Sequence, residues 1–119
     1  MRLPPEAFIE IAKRYINANS DPDRAVSERV FKAHFRLSPI GCAGVWERLE
    51  ERVDANYSYK GLQFSACQPS HLLWTLYHAW CYSTEDTAAA FFGVTAKTYR
   101  KYVLSMMGFI AKMGWSVVS

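Results

Sequence analysis

The sequence predicts an all-α fold: one compact domain of six helices that contains a three-helix helix-turn-helix. Three observations carry this. Apolar residues recur at spacings of three and four along most of the chain, polar cap residues stand just before Pro or acidic residues, and strand-like alternation is scarce. Half of the 119 residues are hydrophobic and 15% are aromatic, which supports a filled core and excludes a disordered or low-complexity chain.

Residues 5–17 place Phe8, Ile9, Ala12, Tyr15 and Ile16 on one helical face, with Pro5 suited to the first helical position. Ser20-Asp21-Pro22 reads as the start of a second helix, with Asp23 in its first turn. Val26, Val30, Phe31, His34 and Phe35 trace its apolar side. Ser38-Pro39 repeats the cap-plus-Pro signal for a third helix. There Val45, Trp46, Leu49 and Val53 face inward, while Glu47, Arg48, Glu50, Glu51 and Arg52 form a solvated side. Those carboxylates sit beside arginines at helical spacing, so they read as surface pairs rather than as an acid–base couple.

Residues 54–68 break the rhythm. They hold Asn56, Ser58, Gly61 and Ser65 among Tyr57, Tyr59, Leu62 and Phe64, which suits an ordered loop packed by its aromatics or a short hairpin. The ordered loop is the preferred expectation. It separates the N-terminal helices, 1–53, from a helix-turn-helix core at 69–113.

Pro69 opens a fourth helix that is apolar nearly all round, through Leu72, Leu73, Trp74, Leu76, Tyr77, Ala79, Trp80 and Cys81. A helix of that kind belongs at the centre of a bundle. Ser83 or Thr84 caps a short fifth helix with Glu85 and Asp86 in its first turn, and Gly93 ends it. Thr95 caps a long sixth helix that ends near Gly114. Trp46, Trp74, Trp80 and Trp115 are expected in the core, as are Met106, Met107 and Met113.

No apolar run reaches the ~20 residues of a membrane span, and the start lacks a continuous hydrophobic segment, so neither a membrane anchor nor a secretory signal is expected. Three cysteines without a CxxC pair argue for a reducing compartment. Cys67, His71, His78 and Cys81 form a C-x3-H-x6-H-x2-C series. Seven residues of helix separate the two histidines by about 10 Å, too far for one ion, so no metal site is expected. A Cys–His nucleophile lacks both a glycine-rich elbow and a supporting carboxylate pattern, and no catalytic residue or cofactor is assigned.

The functional signal lies in residues 84–106. A short helix, Gly93 at the corner, apolar Val94 and a capped helix follow the helix-turn-helix pattern. Ala89 is small where the second helix crosses, and Gly93 permits the positive φ of a sharp turn. At about 100° per residue from Lys97, Tyr99, Tyr102, Val103, Met106, Ile110 and Met113 cluster between about 140° and 240°. Lys97, Arg100, Lys101 and Lys112 lie on the opposite side, and residues 95–113 carry no acidic group. Such a helix can be held by its apolar side while its cations enter a major groove. Ala96, Lys97, Arg100 and Lys101 are the expected base-edge positions. Thr95, through its hydroxyl and the free amides beside it, is the expected phosphate ligand, and Lys112 reaches at most a phosphate.

The blocks Phe35-Arg36-Leu37-Ser38-Pro39, Pro69-Ser70-His71-Leu72-Leu73-Trp74-Thr75-Leu76-Tyr77, Tyr82-Ser83-Thr84-Glu85 and Lys97-Thr98-Tyr99-Arg100-Lys101-Tyr102-Val103 occur in that order. Together they resemble the N-terminal region of PIF/Harbinger-type DDE transposases, over residues 31–113. The resemblance implies a helix-turn-helix that recognises transposon ends as double-stranded DNA in the nucleus, with Thr95, Lys97, Thr98, Arg100 and Lys101 as contact residues. In that family a nuclease domain follows whose separated Asp, Asp and Glu hold divalent metals. This chain stops at Ser119, and none of its eleven carboxylates stands in a matching context, so no cutting activity is expected. The alternative is a domesticated protein-interaction subunit of a nuclear complex that has lost DNA binding. A protein partner or a homodimer fits either reading.

Overall fold

The computed structural model describes residues 3–18, 21, 23–81 and 84–113. Among these, six helices and one two-stranded sheet follow in the order α1 (Pro5–Ile16), α2 (Glu28–Phe35), α3 (Pro39–Arg52), β1 (Ser58–Tyr59), β2 (Leu62–Gln63), α4 (Pro69–Cys81), α5 (Glu85–Phe92) and α6 (Ala96–Lys112). The all-α expectation holds, and no helix is long and apolar enough to cross a membrane. The radius of gyration, 13.7 Å, is close to the ~13.5 Å of a folded single domain of this length.

Five of the six helix starts follow their sequence signals, among them that of α4 at Pro69. Pro5 opens α1, the Ser38 hydroxyl accepts the Gly41 N–H ahead of α3, and Thr84 and Thr95 cap α5 and α6 through the N–H groups of Thr87 and Thr98. The start of α2 does not. That helix begins at Glu28, where the Ser27 hydroxyl accepts the Val30 N–H at 3.2 Å. Residues 23–27 stay outside any helix: the Arg24 N–H donates to the Asp21 carbonyl in a turn, the Asn17 side chain donates to the Arg24 carbonyl at 2.7 Å, and Val26 is buried. Ser20 and Pro22 lie outside the described residues, as do Tyr82, Ser83, Gly114 and Trp115.

Helix α4 runs through the middle and touches α1, α2, α3, α5 and α6. Its consecutive residues His71, Leu72, Leu73, Trp74, Thr75 and Leu76 are all buried. Centrality ends there: Trp80, expected in the core beside Trp46 and Trp74, is 42% exposed. Its indole N–H donates to the Ala33 carbonyl at 3.2 Å, and the Arg36 guanidinium stands 5.1 Å over its ring. The last turn of α4 has passed the end of the core and rests on the flank of α2. Aromatic rings knit α1, α4, α5 and α6 together: Phe92 meets Tyr15 edge-on at 4.8 Å, Tyr77 at 5.3 Å and Trp74 at 5.7 Å.

Residues 54–68 contain a short hairpin at 58–63, the alternative to the preferred ordered loop. Ser58 pairs with Gln63 and Tyr59 with Leu62, and a single 3₁₀ turn, Phe64–Ala66, follows. The cause is local. Lys60 (φ 53°) and Gly61 (φ 83°) both take positive φ, the requirement of a two-residue type I′ turn. The aromatics pack as expected, with Phe64 and Tyr57 lying 5.3 and 6.0 Å from the ring of Phe109 on α6.

Candidate nucleic-acid interface

Helix α5, the corner at Gly93 and α6 form the predicted helix-turn-helix, with α4 packed behind. Gly93 sits at φ 72° in the left-handed region. Its N–H donates to the Ala90 carbonyl and that of Val94 to the Ala89 carbonyl, the paired bonds of a Schellman ending. Ala88 and Ala89 are buried under the crossing, and half-buried Val94 packs on the core.

Helix α6 is anchored by the side the sequence predicted. Tyr99, Val103, Met106, Ile110 and Met113 are buried, and Tyr102 is half-buried. The Tyr99 hydroxyl donates to the Trp74 carbonyl at 3.2 Å, locking α6 to α4. Its burial raises the phenol's pKa above the ordinary tyrosine value, so the group stays a donor. Tyr102 stacks on the buried His71 ring at 3.9 Å. Sequence reasoning missed Ser105 and Phe109, which are buried as well because the hairpin covers that side.

The outward side reads differently from the helical wheel at several points. Lys97 and Lys101 are exposed, with the Lys101 ammonium 5.9 Å from the Tyr102 ring. Arg100 is exposed but engaged: its Nε and Nη2 meet Glu85 Oε2 at 2.7 and 2.6 Å. The sequence had left Glu85 apart on the preceding helix. The corner folds α5 back so that its first turn reaches one turn into α6. This contact holds the Glu85 carboxyl below the usual carboxylate range and raises Arg100. Ala96 is half-buried against the core and does not belong to the outward face. Thr98 is half-buried too. The Thr95 hydroxyl accepts the Thr98 N–H at 3.2 Å and donates to the Thr98 hydroxyl at 3.0 Å, so the cap occupies the group expected to hold a phosphate. Leu104, 38% exposed, completes the outward stripe and was not singled out from sequence, although its wheel angle of about 340° places it there.

Beyond Leu104 the stripe is covered. A Cβ on Gly108 would lie 2.5–2.6 Å from three ring atoms of Tyr59, so the hairpin rests directly on the helix backbone there. Lys112 is exposed on the far side of that contact, its ammonium 5.1 Å over the Tyr57 ring. It stands about 22 Å along the axis from Lys97. The open part of α6 is therefore its first two and a half turns.

Charge follows the same division. The first 54 residues hold nine Lys and Arg against nine Asp and Glu, and the remaining 65 hold five against two. The whole net charge of +3 thus lies with the hairpin and the last three helices.

Among the described residues no three His, Cys, Asp or Glu side chains converge as metal ligands. His71 Nδ1 accepts the Gln68 N–H at 2.9 Å, and the Cys81 thiol points to the His34 carbonyl at 3.6 Å. No family model, curated protein or solved structure matches this chain.

Proposed function

We propose that this chain is a double-stranded DNA-binding helix-turn-helix module, related to the N-terminal region of PIF/Harbinger-type transposases, that acts in the nucleus and without catalysis. One observation carries the reading. Helix α6 is clamped from behind by Tyr99, Val103 and Met106 while Lys97, Lys101 and Leu104 of its first turns are exposed. A rigid, one-sided cationic helix opposite a short capped helix is what major-groove docking requires. Lys97 and Lys101 are the primary contacts. Arg100 joins them by exchanging Glu85 for a base edge or phosphate, and its planar fork suits either. The first-turn amides of α6 give the positive end of the helix dipole a place beside the DNA backbone, while the Thr95 hydroxyl is kept as the cap.

The test is duplex binding by fluorescence anisotropy at two salt concentrations. Three neutralised phosphates give a slope of log K against log salt of about −3. Lys97→Ala, Arg100→Ala and Lys101→Ala combined should abolish binding and leave the melting temperature nearly unchanged, since all three side chains are exposed. Undiminished binding by that variant refutes the assignment.

The protein-interaction alternative draws on an observation elsewhere in the fold. Ile40, 66% exposed, borders an apolar notch with Leu3, Pro4 and Ala43, on the helices remote from α6. An Ile40→Glu change separates the two readings: it should leave duplex affinity untouched and would disrupt only a protein contact at that notch.

A further inference from the structure

The hairpin between α3 and α4 lies along α6 in a defined direction. Tyr57 sits at the far end, beside Phe109 and under the Lys112 ammonium. Two residues later the Tyr59 ring covers Gly108, and the Tyr59 carbonyl accepts from the Ser105 hydroxyl at 3.4 Å. Strand β1 therefore runs back along the helix from its end toward its beginning. The hairpin tip, Lys60-Gly61, is the next step on that line, toward Leu104 and Lys101.

The residue at the tip is unusual for its position. A type I′ turn asks for positive φ at both central residues, and Asn, Asp or Gly normally answer. Here the first place holds Lys at φ 53°, which costs a residue with a Cβ about 1 kcal/mol. Among the described residues no carboxylate offsets this with an ion pair to Lys60. The Lys60 ammonium lies 5.9 Å from the centre of the same Tyr59 ring that rests on Gly108. That ring rests on the stretch of α6 between Lys101 and Lys112, which are about 16 Å apart along the axis, so the Lys60 ammonium stands beside that stretch.

Resting on the DNA-binding reading above, we propose that the hairpin is a second DNA-contacting element, and that Lys60 binds a backbone phosphate beside the groove that α6 enters. Tyr59 sets the distance: its ring, seated on a glycine, brings the tip against the helix where any larger residue at position 108 would hold it off. Lys60 carries no sequence information and contributes affinity and orientation.

The experiment compares the unaltered chain with Lys60→Gly and Lys60→Arg in duplex-binding titrations between 50 and 200 mM salt. Glycine suits the positive φ, so Lys60→Gly folds at least as well as the parent. It should bind every duplex sequence more weakly by a similar factor. Its salt slope should fall by about 0.9, so that affinity drops about 3.5-fold less than the parent's over that range. Lys60→Arg should restore the parent's slope. A parent that binds with the expected slope while Lys60→Gly matches it overturns this proposal alone. A parent with no salt-dependent duplex binding overturns the underlying function and this proposal together.

Discussion

Replacing Gly108 by Ala reverses the usual sign of such a change. In the middle of a helix, Gly→Ala ordinarily stabilises by about 1 kcal/mol, because Ala restricts the unfolded chain and Gly is the poorer helix former. Gly108 lies well inside the 17-residue helix α6, so that gain is available in principle. The structure opposes it with a collision: the new Cβ would fall 2.5–2.6 Å from Cγ, Cδ1 and Cε1 of Tyr59. One of these atoms is the ring's point of attachment, so a simple rotation of the ring end does not relieve it. Forcing an extra carbon into a packed contact costs roughly 1–3 kcal/mol, so the net effect is a destabilisation of up to about 2 kcal/mol. At about 4 °C per kcal/mol for a chain this size, the melting temperature falls by several degrees. Tyr59→Ala removes the obstacle, and in that background Gly108→Ala should stabilise by up to about 1 kcal/mol. Urea unfolding of the four variants gives the coupling from their midpoints, provided the slopes agree. Equal stabilisation by Gly108→Ala in both backgrounds would refute the hairpin contact, and with it the placement of Lys60.

Three further outcomes follow from the site and its surroundings. Glu85→Gln releases Arg100 and removes a negative charge from the proposed DNA-facing side, so duplex binding should tighten several-fold at low salt with a slope steeper by up to about one; weaker binding would mean that Glu85 instead orients Arg100 for contact. His71, held neutral by burial with its pKa lowered to about 4, makes stability depend on pH. The unfolded chain takes up that proton near pH 6.5, so stability is complete above about 6.5, declines as pH falls and loses roughly 3 kcal/mol in total by about pH 4. Denaturant midpoints between pH 7 and 5 should fall for the parent and stay flatter for His71→Asn, whose side-chain oxygen can still accept the Gln68 N–H. Maleimide should label Cys81 alone in the native protein, because Cys42 and Cys67 are buried, with thiols pushed up to about 12 and about 11; rapid labelling of all three would contradict the packing.

The parts of this fold legible in the sequence are those fixed by local chemistry. Thr84, Gly93 and Thr95 each satisfy backbone groups within a few residues of themselves, and the bounds of α5 and the start of α6 follow from them. The buried face of α6 is equally readable because it depends only on helical period. What failed depended on partners distant in sequence. Ser20-Asp21-Pro22 resembles a cap, but the helix is capped by Ser27 and begins at Glu28, after Asn17 has tied the intervening chain to α1. Trp80 surfaces because α4 outruns the core, which no count of apolar residues reveals. The hairpin was concealed by Lys60, since the turn signal is strong for Asn-Gly and faint for Lys-Gly. Arg100 and Glu85 stand fifteen positions apart and meet only because Gly93 folds their helices together. Within the candidate site, Lys97 and Lys101 were legible as free cations. Ala96 was not, although its place one residue before Lys97 turns it toward the core.

Amide chemical-shift mapping of the isotope-labelled protein against a short duplex locates the contact surface directly. The largest shifts are expected at Lys97, Arg100, Lys101 and Leu104 on α6 and at Lys60 and Gly61 on the hairpin, with α1 unaffected. Shifts confined to the basic surface of Arg29, Lys32 and Arg36 around Trp80, with α6 silent, would contradict the DNA-binding reading.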